Sequence, residues 1–142
     1  MMMTGESRVP EGRVRLKSDH AECSFWFVAP TVLMSRFEGH VDAATAKSVI
    51  ETLERLTAPL REFHLFNDSE ALSSYDPELR VLMTRWVERS RPRLIKNHVL
   101  VRSKIVAMGV AVASMLLGDI MRMHSDRRSF ESAVGDITAR RA

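Results

Sequence analysis

The chain holds one cysteine, Cys23, among 142 residues, so no internal disulfide can close. Its first residues, "MMMTGESRVPEG", contain no apolar h-region, which predicts no secretory signal. The longest apolar run, "IVAMGVAVASMLLG", falls short of the about 20 residues that cross a bilayer. It reads as a buried helix, and no membrane span is expected. There is no G-x-x-x-x-G-K-S/T, no G-x-G-x-x-G and no G-x-S-x-G, so neither a phosphate-cradling loop nor a nucleophile elbow is written in contiguous residues. No enzyme and no cofactor are therefore expected. Internal repeats and low-complexity segments are absent as well.

What is present is ordinary globular material. Hydrophobic residues make up 45% and charged residues 27%, enough to build one core. The net charge of +3 is unevenly spread. Residues 1–71 carry 8 Lys/Arg against 11 Asp/Glu, and residues 72–142 carry 13 against 7. That asymmetry suggests one electropositive flank and not a uniformly basic nucleic-acid binder. Nine methionines and a lone thiol fit a reducing cytoplasm. Cys23 sits among apolar strand residues and reads as an inert packed thiol.

Residues 1–12 read as a flexible tail. "RVRLK", "CSFWFVA" and "TVLMSRFEG" follow as three strands, the last two joined at Pro30-Thr31 as a hairpin or sharp bend. Asp42 caps a helix whose Ala46, Val49, Ile50, Leu53 and Leu56 lie at helical spacing. "EFHLFN" is a strand, followed by a polar loop over 68–76. Asp76 caps the next helix, with Pro77 at its first position and Leu79, Leu82, Met83 and Trp86 as its apolar stripe. "NHVLVR" is a strand, "SKIVAMGVAVASMLL" a helix and "GDIMRMH" a turn and strand. "SDRRSFESAVGDITARR" is a final helix capped by Ser125 or Asp126. The order βββαβαβαβα predicts an α/β fold with one mixed sheet, antiparallel at first and parallel later.

Two stretches carry a family likeness. In "VLMSRFEGHVDAATAKSVIETLERL", Gly39, Val41, Asp42 and Ala46 stand where STAS domains have a strand ending in Gly, a turn with a hydrophobic residue and Asp, and an Ala-containing helix. "RMHSDRRSFESAV" resembles that family's last strand, cap and helix. The chain is thus similar to a stand-alone bacterial STAS-like (SpoIIAA-like) protein, with residues 13–142 as its single domain. The resemblance implies relation to anti-sigma-factor antagonists, whose compact Asp-Ser-Ser-Gly turn carries a phosphoserine. This chain departs from that pattern. Asn67-Asp68-Ser69 is followed by further residues before Asp76, with no Gly between.

Candidate sites follow from these placements. Asp68, Ser69, Ser73, Ser74 and Asp76 form the expected regulatory loop. Asp76 and Glu78 are also explained as helix-start residues and Asp68 as a turn former, so acid/base chemistry there is disfavoured. Trp86, Arg89, Arg91 and Arg93 form the expected partner surface, with the small and bulky residues of 103–118 beside it. The arginines lie near a helix C-terminus, which their charge complements without any partner. His64, His98 and His124 fall on successive strands but at different expected heights, and no metal site is expected. Nucleic acid is not an expected partner, because the neighbouring strands offer no stacking platform.

The leading expectation is a non-catalytic interaction or regulatory module. It would dock a kinase, an anti-sigma factor or another signalling protein, with a homodimer as a further arrangement. The alternative is a small-ligand protein for a nucleotide or lipid, with a pocket lined by Phe25, Phe27, Phe63 and Phe66. An enzyme using Asp68 and His64 is the weakest reading.

Overall fold

The structure, a computed structural model, describes residues 5–9 and 12–141, with side chains over 12–140. Seven strands form one sheet in chain order: β1 (Gly5–Val9), β2 (Arg13–Lys17), β3 (Ala21–Ala29), β4 (Val32–Val41), β5 (Phe63–Tyr75), β6 (Leu94–Val101) and β7 (Met121–His124). The first four pair antiparallel. The last four pair parallel. Helix α1 (Ala43–Thr57) follows β4, α2 (Pro77–Ser90) follows β5, α3 (Lys104–Leu117) follows β6, and α4 (Arg127–Arg141) follows β7. A short 3-10 turn over Gly118–Ile120 leads into β7. Residues 5–9, expected within a flexible tail, instead add an edge strand against β2. The rest of that expected tail, apart from Gly12, lies outside the described residues.

Three β–α–β crossovers step in the same direction along the sheet, and right-handed connections of that kind put their helices on one face. Accordingly α1, α2 and α3 pack side by side, and α4 alone covers β3, β4, β6 and β7 from the other face. The larger core holds Val14, Phe25, Phe37, Leu53, Phe63 and Trp86 under the three helices. The smaller one joins Val32, Met34, Phe66, Leu100 and Phe130 beneath α4.

Local chemistry matches these choices. The Asp42 carboxylate accepts the Thr45 N–H at 2.8 Å, and this hydrogen bond holds its acid on the charged side, below the ordinary aspartate value. Ala46, Val49 and Leu53 are wholly buried at helical spacing. Gly39 is required twice over. Its φ of +86° suits only glycine, and a Cβ there would run into the His20 carbonyl.

The largest departure from expectation is β5. Residues 68–75 are strand, not loop. Between Asp68 and Ser74, β5 carries two more residues than its neighbour β4, one at each of two register shifts. Each such bulge breaks the in-out alternation, which makes paired strand read as loop.

Candidate functional site

At one end of the sheet β4, β5 and β6 finish at Val41, Tyr75 and Val101, and helices begin within three residues of each. The N-termini of α1, α2 and α3 therefore gather at the carboxyl ends of parallel strands, where open α/β sheets place their ligands. His40 and Ser74 are direct partners across β4 and β5. The Ser74 hydroxyl lies 2.7 Å from His40 Nδ1, and His40 Nε2 lies 3.1 Å from Asp76 Oδ1. The other Asp76 oxygen accepts the Ala43 N–H at 3.0 Å. Asp76 thus occupies the N-cap position of α2, as expected, yet its carboxylate makes no cap bond to that helix. It caps the start of α1 and holds His40 instead. Ser73 is exposed and donates to the Gly39 carbonyl at 3.0 Å, and Ser103 donates to the Ser73 carbonyl at 3.4 Å.

The expected regulatory loop is consequently divided. Asp68 is buried on the α4 face, where Arg127 (2.8 Å) and Arg36 (3.2 Å) both reach its Oδ2. Arg127 also meets Glu70 at 2.7 Å and Glu131 at 3.2 Å, and these acceptors hold its guanidinium firmly protonated. Ser69 is buried and faces a cavity under α2 and α3. Only Ser73, Ser74 and Asp76 meet at the strand ends. His40, the partner of Ser74 and Asp76, was not singled out from the sequence. Its separation of 34 residues from Ser74 gives no local signal.

The expected partner surface is also revised. Trp86 is fully buried, and its indole N–H donates to Glu54 at 2.9 Å. Arg93 donates to the Thr57 and Leu60 carbonyls and lies over the Phe63 ring. Arg91 donates to the Leu117 carbonyl. Both arginines hold backbone carbonyls at or just beyond helix ends, and Arg89 reaches Glu54 at 3.6 Å. What lies open is the outer side of α3. Val106, Gly109, Ala113 and Leu117 face the sheet, whereas Ile105, Met108, Val112, Met115 and Leu116 are 45–86% exposed.

The histidines also depart from expectation. His98 and His124 meet, with Nδ1 and Nε2 3.0 Å apart, and His124 Nδ1 lies 2.8 Å from Ser129 Oγ. Phe66 stacks on His98, and Phe130 packs edge-on to His124. Burial, with the neighbouring histidine as a further cause, pushes His98 down to about 3, and burial lowers His124 too. No group of three or more His, Cys, Asp or Glu side chains fit to hold a metal ion occurs among the described residues. His64 and Asp68 lie four residues apart along β5, roughly 13 Å at the strand rise, so they do not converge. Phe25, Phe63 and Phe66 are solid core and Phe27 is exposed, and none of the four lines the cavity under α2 and α3. A cavity of about 90 Å³ lies elsewhere, bounded by Leu72, Tyr75, Met83, Val106 and Val110, with Asn67 and Asn97 on its floor. Burial pushes the Cys23 thiol up to about 12, which makes it unreactive.

No family model and no curated protein matches the sequence. A search of solved structures finds similarity to an uncharacterized protein of the DUF3478 family, with a SpoIIAA-like fold, from Shewanella loihica PV-4. The TM-score is 0.55 at 11% identity, over 91% of this chain and 90% of that one. The chain has the SpoIIAA-like fold, that of STAS domains. No helix among the described residues is long and apolar enough to cross a membrane.

Proposed function

We propose that the chain is a STAS-like interaction module of bacterial signalling that docks a protein through α3. One observation carries this reading: five large apolar side chains, Ile105, Met108, Val112, Met115 and Leu116, stand exposed on a helix whose other side is in the core. A contiguous apolar strip of that kind marks a contact surface. Exposed Arg102 and Lys104 border its N-terminal end, and Arg85 is exposed on α2. The occupant that suits both features is an amphipathic helix of a partner protein, with apolar residues on the strip and acidic residues at its rim. Ser73 and Ser74 stand beside the start of α3, joined to it through Ser103, so a change at these serines would be felt at the docking face. Ser69 is buried, which removes it as a kinase target in the folded chain.

A photo-crosslinker placed at Met115 in the source cell tests this. An acidic-helix protein should be captured there, and Met108→Asp should abolish the capture. The same group at Arg128, on the opposite face, should not capture it. Equal capture from both positions, or none from Met115, would overturn the reading.

A second reading rests on the cavity beneath α2 and α3. Its apolar walls and its Asn67 and Asn97 floor suit a small apolar ligand with one hydrogen-bonding group. A thermal-shift series of short-chain alcohols and amides tests it. Stabilisation lost on Ala113→Phe supports the reading, and no shift across the series removes it.

A further inference from the structure

We propose that Ser74, His40 and Asp76 form a nucleophilic site that cleaves small carboxylic esters, an activity beyond the docking role. The expectation of no enzyme rested on contiguous motifs. This set is assembled by the β4–β5 pairing from residues 34 and 36 positions apart.

Hydrogen-bond chemistry fixes the roles. An ionised carboxylate only accepts, so Asp76 Oδ1 accepts a hydrogen bond from His40 Nε2–H. In the neutral imidazole Nδ1 is then the acceptor, and the hydroxyl 2.7 Å from it donates. Ser74 therefore presents its O–H to a base, and the base is held in the one useful tautomer by a third group. That is the arrangement an activated serine needs. Asp76 is held in turn by the Ala43 N–H at 3.0 Å. Ser73, its neighbour, has no such base and bonds only to a carbonyl.

The surroundings suit the charge that develops. Among the first three N–H groups of α1, Ala43 goes to Asp76 and Thr45 to Asp42. The Ala44 N–H has no acceptor among the described residues, and it opens at the positive end of a 15-residue helix. The Asp76–Ala43 bond sets this positive helix end beside the Ser74–His40–Asp76 group, which favours negative charge developing nearby. His40 and Asp76 are more than one-third exposed, so the site lies open to small substrates at the carboxyl ends of β4 and β5.

In the first step Ser74 Oγ bonds to the ester carbonyl carbon, and its proton moves to His40 Nδ1. The bond from that carbon to the alcohol oxygen then breaks, and the leaving alkoxide takes the proton from His40. Water repeats the sequence on the acyl-serine. It releases the carboxylic acid and restores the Ser74 hydroxyl. Ser74 and His40 are the catalytic residues, and Asp76 is a positioning residue.

Purified protein is treated with a fluorophosphonate, and the adduct is located by tandem mass spectrometry. Hydrolysis of p-nitrophenyl acetate is followed in parallel. The adduct is expected on Ser74 and not on Ser73. His40→Gln should slow labelling by about 100-fold or more. Asp76→Asn should lower kcat with KM held, in a variant whose circular dichroism stays native. Met108→Asp should leave labelling unchanged, which separates this site from the docking face. Labelling of Ser73 and Ser74 at equal rates would overturn the proposal. So would full-rate labelling in folded His40→Gln.

Discussion

Replacing Gly109 with alanine sets local propensity against packing, and the two predict opposite signs. In an exposed helix the change from glycine to alanine stabilises by about 1 kcal/mol. At Gly109 a new Cβ would run into the Tyr75 hydroxyl, with the Tyr75 Cζ 3.1 Å away and Arg80 Cδ at 3.6 Å. Tyr75 ends β5 and packs against the main core, so it has little room to retreat. Overpacking of this kind costs about 1–3 kcal/mol. With the helix-propensity gain set against it, the net expectation is destabilisation of up to about 2 kcal/mol. With a urea slope of about 2 kcal/mol/M, the unfolding midpoint falls by up to about 1 M at unchanged slope. Tyr75→Phe removes the clashing oxygen and leaves only the 3.1 Å approach, which small shifts absorb. In that background Gly109→Ala should be close to neutral, with a coupling of about 1 kcal/mol or more in the double-mutant cycle. A rise in the midpoint for Gly109→Ala in the wild-type background would refute the close approach of α3 to β5.

Other outcomes follow from the same structure. Between pH 6.5 and 4.5 stability should fall as pH falls. Folded His98 resists the proton down to about 3, while the unfolded chain binds it from about 6.5. The slope contributed by His98 is about 1.4 kcal/mol per pH unit, His124 adds in the same direction, and the contribution is complete above pH 6.5. A denaturation series across this range should flatten in His98→Phe. Arg127→Ala removes one of two guanidiniums from buried Asp68. Because Arg127 is itself 38% exposed, the cost should be about 1–2 kcal/mol in chemical denaturation. Trp86→Ala should cost about 3–5 kcal/mol, as a fully buried ring does, whereas surface anchors leave stability nearly unchanged.

Much of this architecture is legible in the residues themselves. Alternation in "RVRLK", the Asp42 cap and the Pro77 start each encode a local preference that the fold obeys. The likeness carried by Gly39 and Asp42 also points to the right fold. The middle of β5 was not legible, because two bulges erase the alternation that identifies a strand. Trp86, Arg91 and Arg93 misled for a related reason. A large aromatic ring and positive charge suit a surface, but here the ring fills the core and Arg91 and Arg93 bind backbone carbonyls. The pairing of His40 with Ser74 depends on strand register, and no short window of sequence contains it.

The docking claim is tested most directly by hydrogen exchange on the protein bound to the partner captured at Met115. Amide protection should rise along α3, from Lys104 to Leu117, with little change in α4. Protection confined to α4, or spread evenly over the chain, would contradict the assignment of α3 as the contact surface.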